Sequence, residues 1–313
     1  MSQAHILFEN EDWMPPLRAA LTARGIPFTE HLVTGGAVDL PAEMPEGVFI
    51  NRMSPSSHTR DHQGGVTFMH QYLPALEAAG RKVINGSQAF RLEVSKVLQD
   101  IALRAHGIRT PRTIAVVGGA EHLKTAARTM DLPFITKDNQ SGKGLGVRLF
   151  RDLDAFDAYV DGDEFIPGPD GVTLLQQYIQ PAEPFITRVE IVDGVFQYAI
   201  RSSTENGFEL CPADACAIGD DFCPVGDDGR FALRPDITAD DPLVQAYIRM
   251  MAANGLRIAG IEFVEDADGN RYTYDINGTT NFNGDVEAAH GLSGMGALAE
   301  MVERELQVYA EPA

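Results

Sequence analysis

Two acidic residues and an asparagine on adjoining predicted strands are the side chains best suited to chemistry. Glu262 and Asp275 lie in apolar and aromatic runs on either side of Asp268 and Gly269. If those two residues form a two-residue turn, Glu262 faces Asp275, with Asn277 on the same face. Like charges directly opposite each other repel, so this pairing predicts a cation between them. Two carboxylates and an amide oxygen suit Mg²⁺, whereas the alternative is a hairpin tip whose acids face water.

A glycine-rich segment follows a predicted strand that ends at Lys137. Ser141 leads into Gly142, Gly144 and Gly146, which occupy alternate positions before the next strand. Glycines let backbone N–H groups approach phosphate oxygens, and a lysine on a fixed strand adds a positive charge. The segment lacks the Gly-Lys-Ser/Thr sequence that opens a helix in a Walker A motif. It favours a hairpin that covers phosphates, with a flexible loop as the alternative.

A second predicted hairpin turns at Asp193 and Gly194 and carries two arginines. A two-residue turn places Arg188 and Arg201 on one face of the sheet, with apolar residues on the other. Diagonal neighbours on a sheet lie about 7 to 8 Å apart, so the two guanidinium groups could hold a phosphoryl group or a carboxylate. The alternative is that Glu190 neutralises Arg188 on a solvated face.

Two further segments are candidates for nucleotide contacts. Lys96 lies beside the apolar stripe of a long predicted helix, residues 87–105, where it could instead pair with Glu93 or Asp100. A predicted strand ends in Gln176, Gln177, Tyr178 and Ile179, and its free backbone groups suit an adenine ring.

Composition limits the classes of partner. The chain has 313 residues, and 45 acidic residues against 25 basic ones give a net charge of −20. That charge argues against nucleic acid and against an anionic membrane surface. No apolar run is long enough to span a bilayer, and the first residues do not resemble a signal peptide, so the sequence predicts a soluble, cytoplasmic protein.

Cysteine spacing adds little. Cys211, Cys216 and Cys223 form an odd set without an obvious fourth zinc ligand nearby, which favours buried or incidental thiols over a metal site or a disulfide framework.

The pattern of strands and helices around these residues predicts an α/β protein. A chain of this length is expected to form two or three domains. Strands and helices alternate over residues 1–85. Strand, helix and strand signals follow the predicted long helix, and two hairpins precede a C-terminal helix near residues 296–309.

In this order, the motifs resemble the ATP-grasp superfamily, and most closely its glutathione synthetase and RimK-type carboxylate–amine ligases. The resemblance is carried by residues 83–281, above all by 85–96, 133–147 and 260–277. It implies a pre-ATP-grasp α/β domain over residues 1–85, a central lid subdomain over 86–179, and a C-terminal metal and substrate subdomain over 180–313. The trio departs from the common family order, because Glu262 comes first and Asp275 second.

The resemblance also implies a role for each candidate residue. Lys96 and Lys137 would contact the phosphates of ATP, and the glycine-rich segment would close over them. Arg188 and Arg201, with Lys137, would stabilise the transferring phosphoryl group. Two Mg²⁺ ions, with Mn²⁺ as an alternative, would be held by Glu262, Asp275 and Asn277. The remaining nucleotide contacts would come from Ser141, Gly142, Gly144, Gly146, Gln176, Gln177, Tyr178, Ile179 and Glu183.

The implied reaction joins a small-molecule carboxylate to an amine, with an amino acid or peptide as the expected substrate. ATP would form an acyl phosphate, and the products would be an amide, ADP and phosphate. A kinase without ligation and a non-catalytic nucleotide-binding module are the alternatives, and a homo-oligomer is left open. Arg52, His58 and Arg60 could contact an anionic substrate or could be solvated.

Overall fold

Three β-sheets organise the chain. The computed structural model describes residues 3–37, 43–142, 144, 146–204 and 230–310. Cys211, Cys216 and Cys223 therefore lie outside the described residues. The strands are β1 (Gln3–Phe8), β2 (Phe28–Leu32), β3 (Gly47–Arg52), β4 (Lys82–Ile84), β5 (Thr113–Val117), β6 (Phe134–Asp138), β7 (Arg148–Phe150), β8 (Val172–Gln177), β9 (Phe185–Val192), β10 (Val195–Ser203), β11 (Phe231–Leu233), β12 (Ile258–Glu265) and β13 (Arg271–Asn277).

Helices connect and cover these sheets, with short 3₁₀ turns at Glu11–Trp13 and Ser57–Arg60. The helices are α1 (Pro15–Ala23), α2 (Gln63–Ala78), α3 (Ser87–Glu93), α4 (Lys96–Ala105), α5 (Ala120–Ala127), α6 (Leu153–Asp161), α7 (Pro242–Ala253), α8 (Gly284–His290) and α9 (Gly294–Ala310). The α/β class predicted from sequence is confirmed.

The first sheet is parallel, with strand order β2-β1-β3-β4. Parallel strands need crossovers, and α1 and α2 supply them. The C-terminal helix α9 returns to this sheet, where Leu298 and Met301 share a core with Ile6 and Val48. The C-terminal helix therefore stabilises the N-terminal parallel sheet.

The second sheet is antiparallel, with strand order β5-β8-β6-β7. Helices α5 and α6 cover one of its faces, and Phe134, Phe150 and Phe156 form an aromatic cluster in the shared core. Lys137 lies at the end of β6, where the chain leaves the sheet for the glycine-rich segment.

The third sheet is antiparallel, with strand order β11-β10-β9-β12-β13, and its central strands β9 and β12 are buried on both faces. Ile200 and Ile258 face the core that contains α9, whereas Val189 and Ile261 face α4 and α7. The predicted division into an apolar back and a cationic front is therefore wrong for β9 and β10. Burial on both faces means that charged side chains in this sheet need partners inside the protein.

A bulge in β10 overturns the predicted pairing of the two arginines. The turn itself is as predicted, since Asp193 and Gly194 both have positive φ. The register then shifts at Gln197, so that Arg188 lies opposite Ile200 and Arg201 lies opposite Thr187. Directly opposed residues share a face, and successive residues alternate. Arg188 and Arg201 consequently lie on opposite faces of the sheet.

The hairpin of β12 and β13 reaches the predicted pairing by a different route. Glu262 does lie opposite Asp275. However, the turn is not the predicted two-residue one, because Asp266 N–H bonds to the Asn270 carbonyl and three residues lie between them. The Asp266 carboxylate accepts from the N–H groups of Asp268 and Asn270, which stabilises this longer loop. A bulge at Tyr274 restores the register before Asp275 is reached.

The long predicted helix is in fact two helices, and the break positions Lys96. Ser95 has extended backbone dihedrals, and its hydroxyl accepts from the N–H of Leu98 at 3.3 Å. Such a residue caps a new helix, so α4 begins at Lys96 instead of continuing α3. The change of direction buries Lys96 and leaves Leu98 and Ile101 exposed.

Among the described residues, no helix combines the length and the apolar character that crossing a bilayer requires. The domain boundaries stay a prediction. Helix α3 packs its Phe90 against α2, and α4 packs its Leu103 with the third sheet. The core of the second sheet is formed by residues from Val116 to Leu175.

Candidate active site

One cavity of about 260 Å³ lies where the three sheets meet. Most of its lining residues fall into three groups according to the elements that supply them. The hinge group follows β8 and the strands beside it, and comprises Ile135, Val147, Gln176, Gln177, Tyr178, Ile179, Pro181, Ile186 and Val264. The charged group comprises Lys96, Lys137, Arg188, Glu262, Asp275 and Asn277. The loop group comprises Trp13, Ser54, Pro55, Ser56, Thr279, Thr280 and Asn281.

The opposed carboxylates are each bonded to a different cation. Glu262 Oε1 accepts from Arg188 at 2.7 Å, and its Oε2 accepts from the Tyr274 hydroxyl at 3.1 Å. Asp275 Oδ1 accepts from Lys96, while Asn277 Nδ2 lies 3.4 Å from the other oxygen. Both carboxylates are largely buried, so the solvated alternative is wrong, as is the pairing of Lys96 with Glu93 or Asp100.

Burial and charge act in opposite directions on the two acids. Burial raises the pKa of Glu262 above its usual value, and Asp275 adds to this, although Arg188 opposes it. Burial also disfavours ionisation of Asp275, but the positive charges of Lys96 and Lys137 outweigh it, so the pKa of Asp275 is lowered. Asp275 is therefore the more firmly ionised carboxylate of the pair.

Arg188 is a buried cation with a full set of partners. Its Nε donates to Glu190 at 2.7 Å, its Nη1 to Glu262 at 2.7 Å, and its Nη2 to Thr280 Oγ1 at 2.6 Å. Burial alone would lower the pKa of Arg188, but Glu190 and Glu262 raise it. The sequence left open that Glu190 neutralises Arg188 on a solvated face. Glu190 does pair with Arg188, but both side chains are buried. The Thr280 contact ties the charged group to the loop group.

Asn139 links the end of β6 to the start of α4, the two elements that carry Lys137 and Lys96. Its Oδ1 accepts from the N–H of Val97 at 2.9 Å, and its carbonyl accepts from the N–H of Lys96 at 3.3 Å. Lys137 lies two residues earlier, on β6, and its ammonium group lies 3.4 Å from the Tyr274 carbonyl. Burial and the nearby charge of Lys96 lower the pKa of Lys137 to about 7.

The glycine-rich segment borders both the charged group and the loop group. Ser141, Gly142 and Gly144 line the cavity. A Cβ on Gly142 would lie 3.3 Å from the Cβ of Ser56, and Gly144 has a φ of 72°. Gly142 therefore allows a close approach to Ser56, and Gly144 adopts a backbone conformation that other residues rarely do.

The hinge group offers one apolar slot edged by polar backbone. Gln176 is held by the Thr113 hydroxyl at 2.9 Å, and the N–H of Tyr178 bonds to the Pro133 carbonyl at 3.3 Å. Apolar walls come from Ile135 on β6 and Val264 on β12. A flat ring bounded by apolar side chains and backbone polar groups is the ligand that such a slot suits.

Three predicted site residues do not line the cavity. Arg201 is exposed on the other face of the sheet, where its guanidinium lies 5.9 Å from the Phe185 ring, because of the bulge at Gln197. Glu183 is exposed in the stretch between β8 and β9. Gly146 does not line the cavity and lies close to the carboxylate of Asp138.

The sequence indicates only that the loops over residues 53–65 and 278–285 set the substrates, and it does not single out the loop-group residues within them. Ser54 and Ser56 follow β3, and their hydroxyls lie 2.9 Å apart. Thr280 and Asn281 follow β13 after the metal-ligand candidates. Their only sequence signal is position, since each pair comes directly after the end of a buried strand, where functional loops are often found.

Solved structures share the fold of this protein over almost the whole chain. A RimK-domain ATP-grasp protein from Sphaerobacter thermophilus matches with a TM-score of 0.63 and 18% identity, covering 96% of this chain and 99% of that one. The ATP-grasp ligase PsnB, complexed with a minimal precursor, matches with a TM-score of 0.66 and 16% identity over 97% and 100%. The chain has the ATP-grasp fold.

A third structural match is the D-alanine–D-alanine ligase from Bacillus anthracis, complexed with ATP. It matches with a TM-score of 0.63 and 14% identity, and both chains are covered completely. No family model and no curated protein matches the sequence. The fold predicted from the order of the motifs is confirmed. Because the sequence identities are below 20%, these matches establish the fold and not the function.

Within the ATP-grasp fold, three members of the charged group form a suitable ligand set for Mg²⁺. Glu262, Asp275 and Asn277 bring carboxylate and amide oxygens to one face of two adjacent strands, and hard cations prefer such oxygen ligands. Among the described residues, no group of three or more His, Cys, Asp and Glu side chains is arranged to hold a metal. The candidate is therefore a mixed set of two carboxylates and one amide.

Proposed function

We propose that this protein is an ATP-dependent ligase that joins a carboxylate to an amine. The carrying observation is that one cavity connects a slot suited to adenine, a buried cluster of acids and cations, and a polar loop group. A nucleotide whose base occupied the hinge group would direct its phosphates toward Lys96 and Lys137. Its terminal phosphate would then lie between that cluster and the loop group.

ATP binding is supported by the fold and by Lys96 and Lys137. PsnB has been solved with Mg and ADP, and the Bacillus anthracis ligase with ATP. In this chain, Lys96 and Lys137 approach the cavity from different elements and would neutralise phosphate charge from two sides. Glu262, Asp275 and Asn277 would hold Mg²⁺, which supplies charge neutralisation at the transferring phosphoryl group.

The proposed reaction has two steps. A carboxylate oxygen of the first substrate attacks the terminal phosphorus of ATP, the bond to the bridging oxygen breaks, and ADP leaves. The amine nitrogen of the second substrate then attacks the carbonyl carbon of the acyl phosphate, loses its proton, and displaces inorganic phosphate. Positioning and charge neutralisation are the main contributions that a protein makes to such chemistry.

Arg188 has a different role from the one first expected. Because its three donor nitrogens already bond to Glu190, Glu262 and Thr280, it orients a metal-ligand candidate and a loop residue. We assign it as a positioning residue for Glu262 as well as a source of positive charge. Arg201 keeps only the role that the resemblance implied, without support from its position.

Water must be kept from an acyl phosphate, and the glycine-rich segment is placed to do so. Ser141, Gly142 and Gly144 lie along the cavity, with Gly142 against Ser56 of the opposite wall. With a nucleotide bound, this segment would cover the phosphates and exclude water from the acyl phosphate.

The test is ADP release from ATP and Mg²⁺ with pools of carboxylates and amines, followed by mass spectrometry of the products. A ligase gives ADP that depends on both pools, and an amide in the products. ADP with a phosphorylated product and no need for an amine would identify a kinase instead. Nucleotide binding without any ADP across broad pools would count against both enzymes and favour a binding module.

A further inference from the structure

A second, smaller cavity lies beside the two lysines of the charged group. Its volume is about 10 Å³, which is close to the space that a single water molecule needs. It shares with the larger cavity the lining residues Lys96, Lys137, Gln176 and Tyr274, and its other lining residues are Asp100, Leu103 and Thr273. Most of this lining is polar, so the space suits a water molecule better than an apolar group.

Asp100 brings an unsatisfied acceptor to the smaller cavity. Its Oδ2 pairs with Arg104, one turn further along α4, at 3.1 Å. Its Oδ1 is buried and accepts no hydrogen bond from the described residues. A buried carboxylate oxygen without a donor costs free energy, so a donor is expected in the adjoining space.

Lys137 brings donors that lack acceptors. An ammonium group has three N–H bonds to donate. Among the described residues, the Tyr274 carbonyl, 3.4 Å away, is the one acceptor for the ammonium group of Lys137. Lys96, by contrast, bonds to the carboxylate of Asp275. The smaller cavity is therefore lined by an unused acceptor on Asp100 and by the residue with unused donors, Lys137.

We propose that one water molecule occupies the smaller cavity, donates to Asp100 Oδ1 and accepts from the ammonium group of Lys137. Asp100 is then a positioning residue, because through this water it orients Lys137 and offsets its charge without touching the nucleotide. The proposal deepens the proposed function and rests on it for the role of Lys137 as a phosphate contact.

The charges around Lys137 fix the sign of the effect. The charged side chains that face it are Lys96 and Asp100 on α4, Glu262 on β12 and Asp275 on β13. Burial and the charge of Lys96 lower the pKa of Lys137 to about 7, whereas the three carboxylates raise it. Asp100 is the one of these carboxylates that is not a metal-ligand candidate, so it acts on Lys137 whether or not Mg²⁺ is bound. Removing its charge should lower the pKa of Lys137 further.

The decisive variant is Asp100→Asn, which keeps the shape of the side chain but removes its charge. Its matched control is Arg104→Gln, which breaks the same ion pair on α4 and leaves the Asp100 carboxylate beside the cavity. Asp100→Glu tests rescue, because it restores the carboxylate, and its longer side chain can reach into the cavity in place of the water.

The charge state of Lys137 is measured by NMR on nucleotide-free protein labelled with ¹³C at lysine Cε. The chain has five lysines, Lys82, Lys96, Lys124, Lys137 and Lys143. So small a set can be assigned by single substitutions. In the wild type and in Arg104→Gln, the Lys137 signal should titrate near pH 7 or slightly above it. Asp100→Asn should lower that pKa by about one unit, and Asp100→Glu should restore it. An unchanged pKa of Lys137 in Asp100→Asn would overturn the proposal.

Affinity for ATP in the presence of Mg²⁺ separates positioning from general loosening. A pKa one unit lower leaves about tenfold less protonated Lys137 at pH 8, so Asp100→Asn should bind ATP about tenfold more weakly there. At about pH 5.5, Lys137 is mostly protonated in both proteins, and the two affinities should agree within a few-fold. Equal weakening at both pH values would indicate a purely structural role and would overturn the assignment of Asp100.

A crystal structure of the nucleotide-free protein tests the water itself. One water should lie within about 3.2 Å of both Asp100 Oδ1 and Lys137 Nζ, and an empty cavity would overturn the bridge. The NMR titration does not depend on catalysis. A Lys137 pKa that responds to Asp100, in a protein that releases no ADP, would refute the ligase and leave this proposal standing. ADP release without that response would do the reverse.

Discussion

Glu262 and Asp275 face each other across β12 and β13, yet each carboxylate is bonded to its own cation. Arg188 bonds to Glu262, and Lys96 bonds to Asp275. The two cations differ in mobility, because Arg188 is fixed by three partners whereas Lys96 sits on a flexible stem at the start of α4. In the proposed function, Lys96 would move to a phosphate and release Asp275 for a metal ion, while Arg188 would keep Glu262 in place.

Asp275→Asn should reduce ATP turnover by orders of magnitude. The variant removes a charged oxygen from the metal-ligand set and leaves Lys96 buried without its counter-ion. ADP release under saturating ATP and Mg²⁺ is the measurement. Asp268→Asn, an exposed change on the loop of the same hairpin, should behave as wild type. Similar rates in the two variants would contradict the assignment of Asp275.

Lys137 should make nucleotide binding depend on pH. Its pKa of about 7 means that the ammonium is largely deprotonated at pH 8, and phosphates favour the protonated form. ATP binding at pH 8 should therefore take up a proton, and affinity should fall as pH rises above about 7. Calorimetry in buffers of different ionisation enthalpy measures this uptake.

The matched variant is Lys137→Met, which keeps the length of the side chain but cannot bind a proton. It should bind ATP more weakly at pH 7, and the proton uptake should disappear. Lys137→Ala should likewise lower turnover by orders of magnitude. Undiminished proton uptake in Lys137→Met would show that another group is responsible.

The acid pair, Lys137 and the glycines could be predicted from local signals in the sequence, whereas Lys96 is indicated only by the family resemblance. Alternation along a strand gives the face of Glu262, and a strand followed by glycines identifies Lys137. Ser95 also carried a local signal, since serine is a common cap, but the apolar period of the surrounding helix concealed it. The apolar period over residues 87–105 favoured one continuous helix, whereas the Ser95 cap begins a second helix at Lys96.

Bulges and long-range contacts explain what sequence could not give. A single extra residue at Gln197 moves Arg201 to the other face, and no composition signal distinguishes it from its neighbours. The partners of Arg188 are separated from it by 74 residues for Glu262 and 92 for Thr280. Arg52 meets Asn281 across 229 residues. Such contacts depend on how the sheets pack together.

Asn139→Ala should disturb the start of α4, where Lys96 lies. The change removes the oxygen that accepts from Val97 N–H and leaves that donor unsatisfied at the start of α4. A lost buried hydrogen bond costs about 1 to 3 kcal/mol of unfolding free energy. Because Lys96 begins the same helix, the KM for ATP should also rise.

Denaturant unfolding and ATP kinetics check this prediction together. The control is Asn270→Ala, which removes a bond of 3.0 Å to Asp266 in the distant hairpin loop. It should lower stability without changing the KM for ATP. A rise in KM in both variants would show that general loosening, and not the placement of the lysines, is responsible.

Asp138→Asn should stabilise the protein at pH 7. Burial, with a contribution from Asp170, raises the pKa of Asp138 to about 6, above its usual value of 3.8. Between these values the folded state binds more protons than the unfolded state, so this group lowers stability as pH rises through about 6. The advantage of asparagine should therefore be largest above pH 7 and should vanish toward pH 4. The measurement is the free energy of unfolding in denaturant across that pH range, with the exposed change Asp163→Asn as control. If Asp138→Asn raised this free energy by the same amount at every pH, titration of a buried carboxylate could not be the cause.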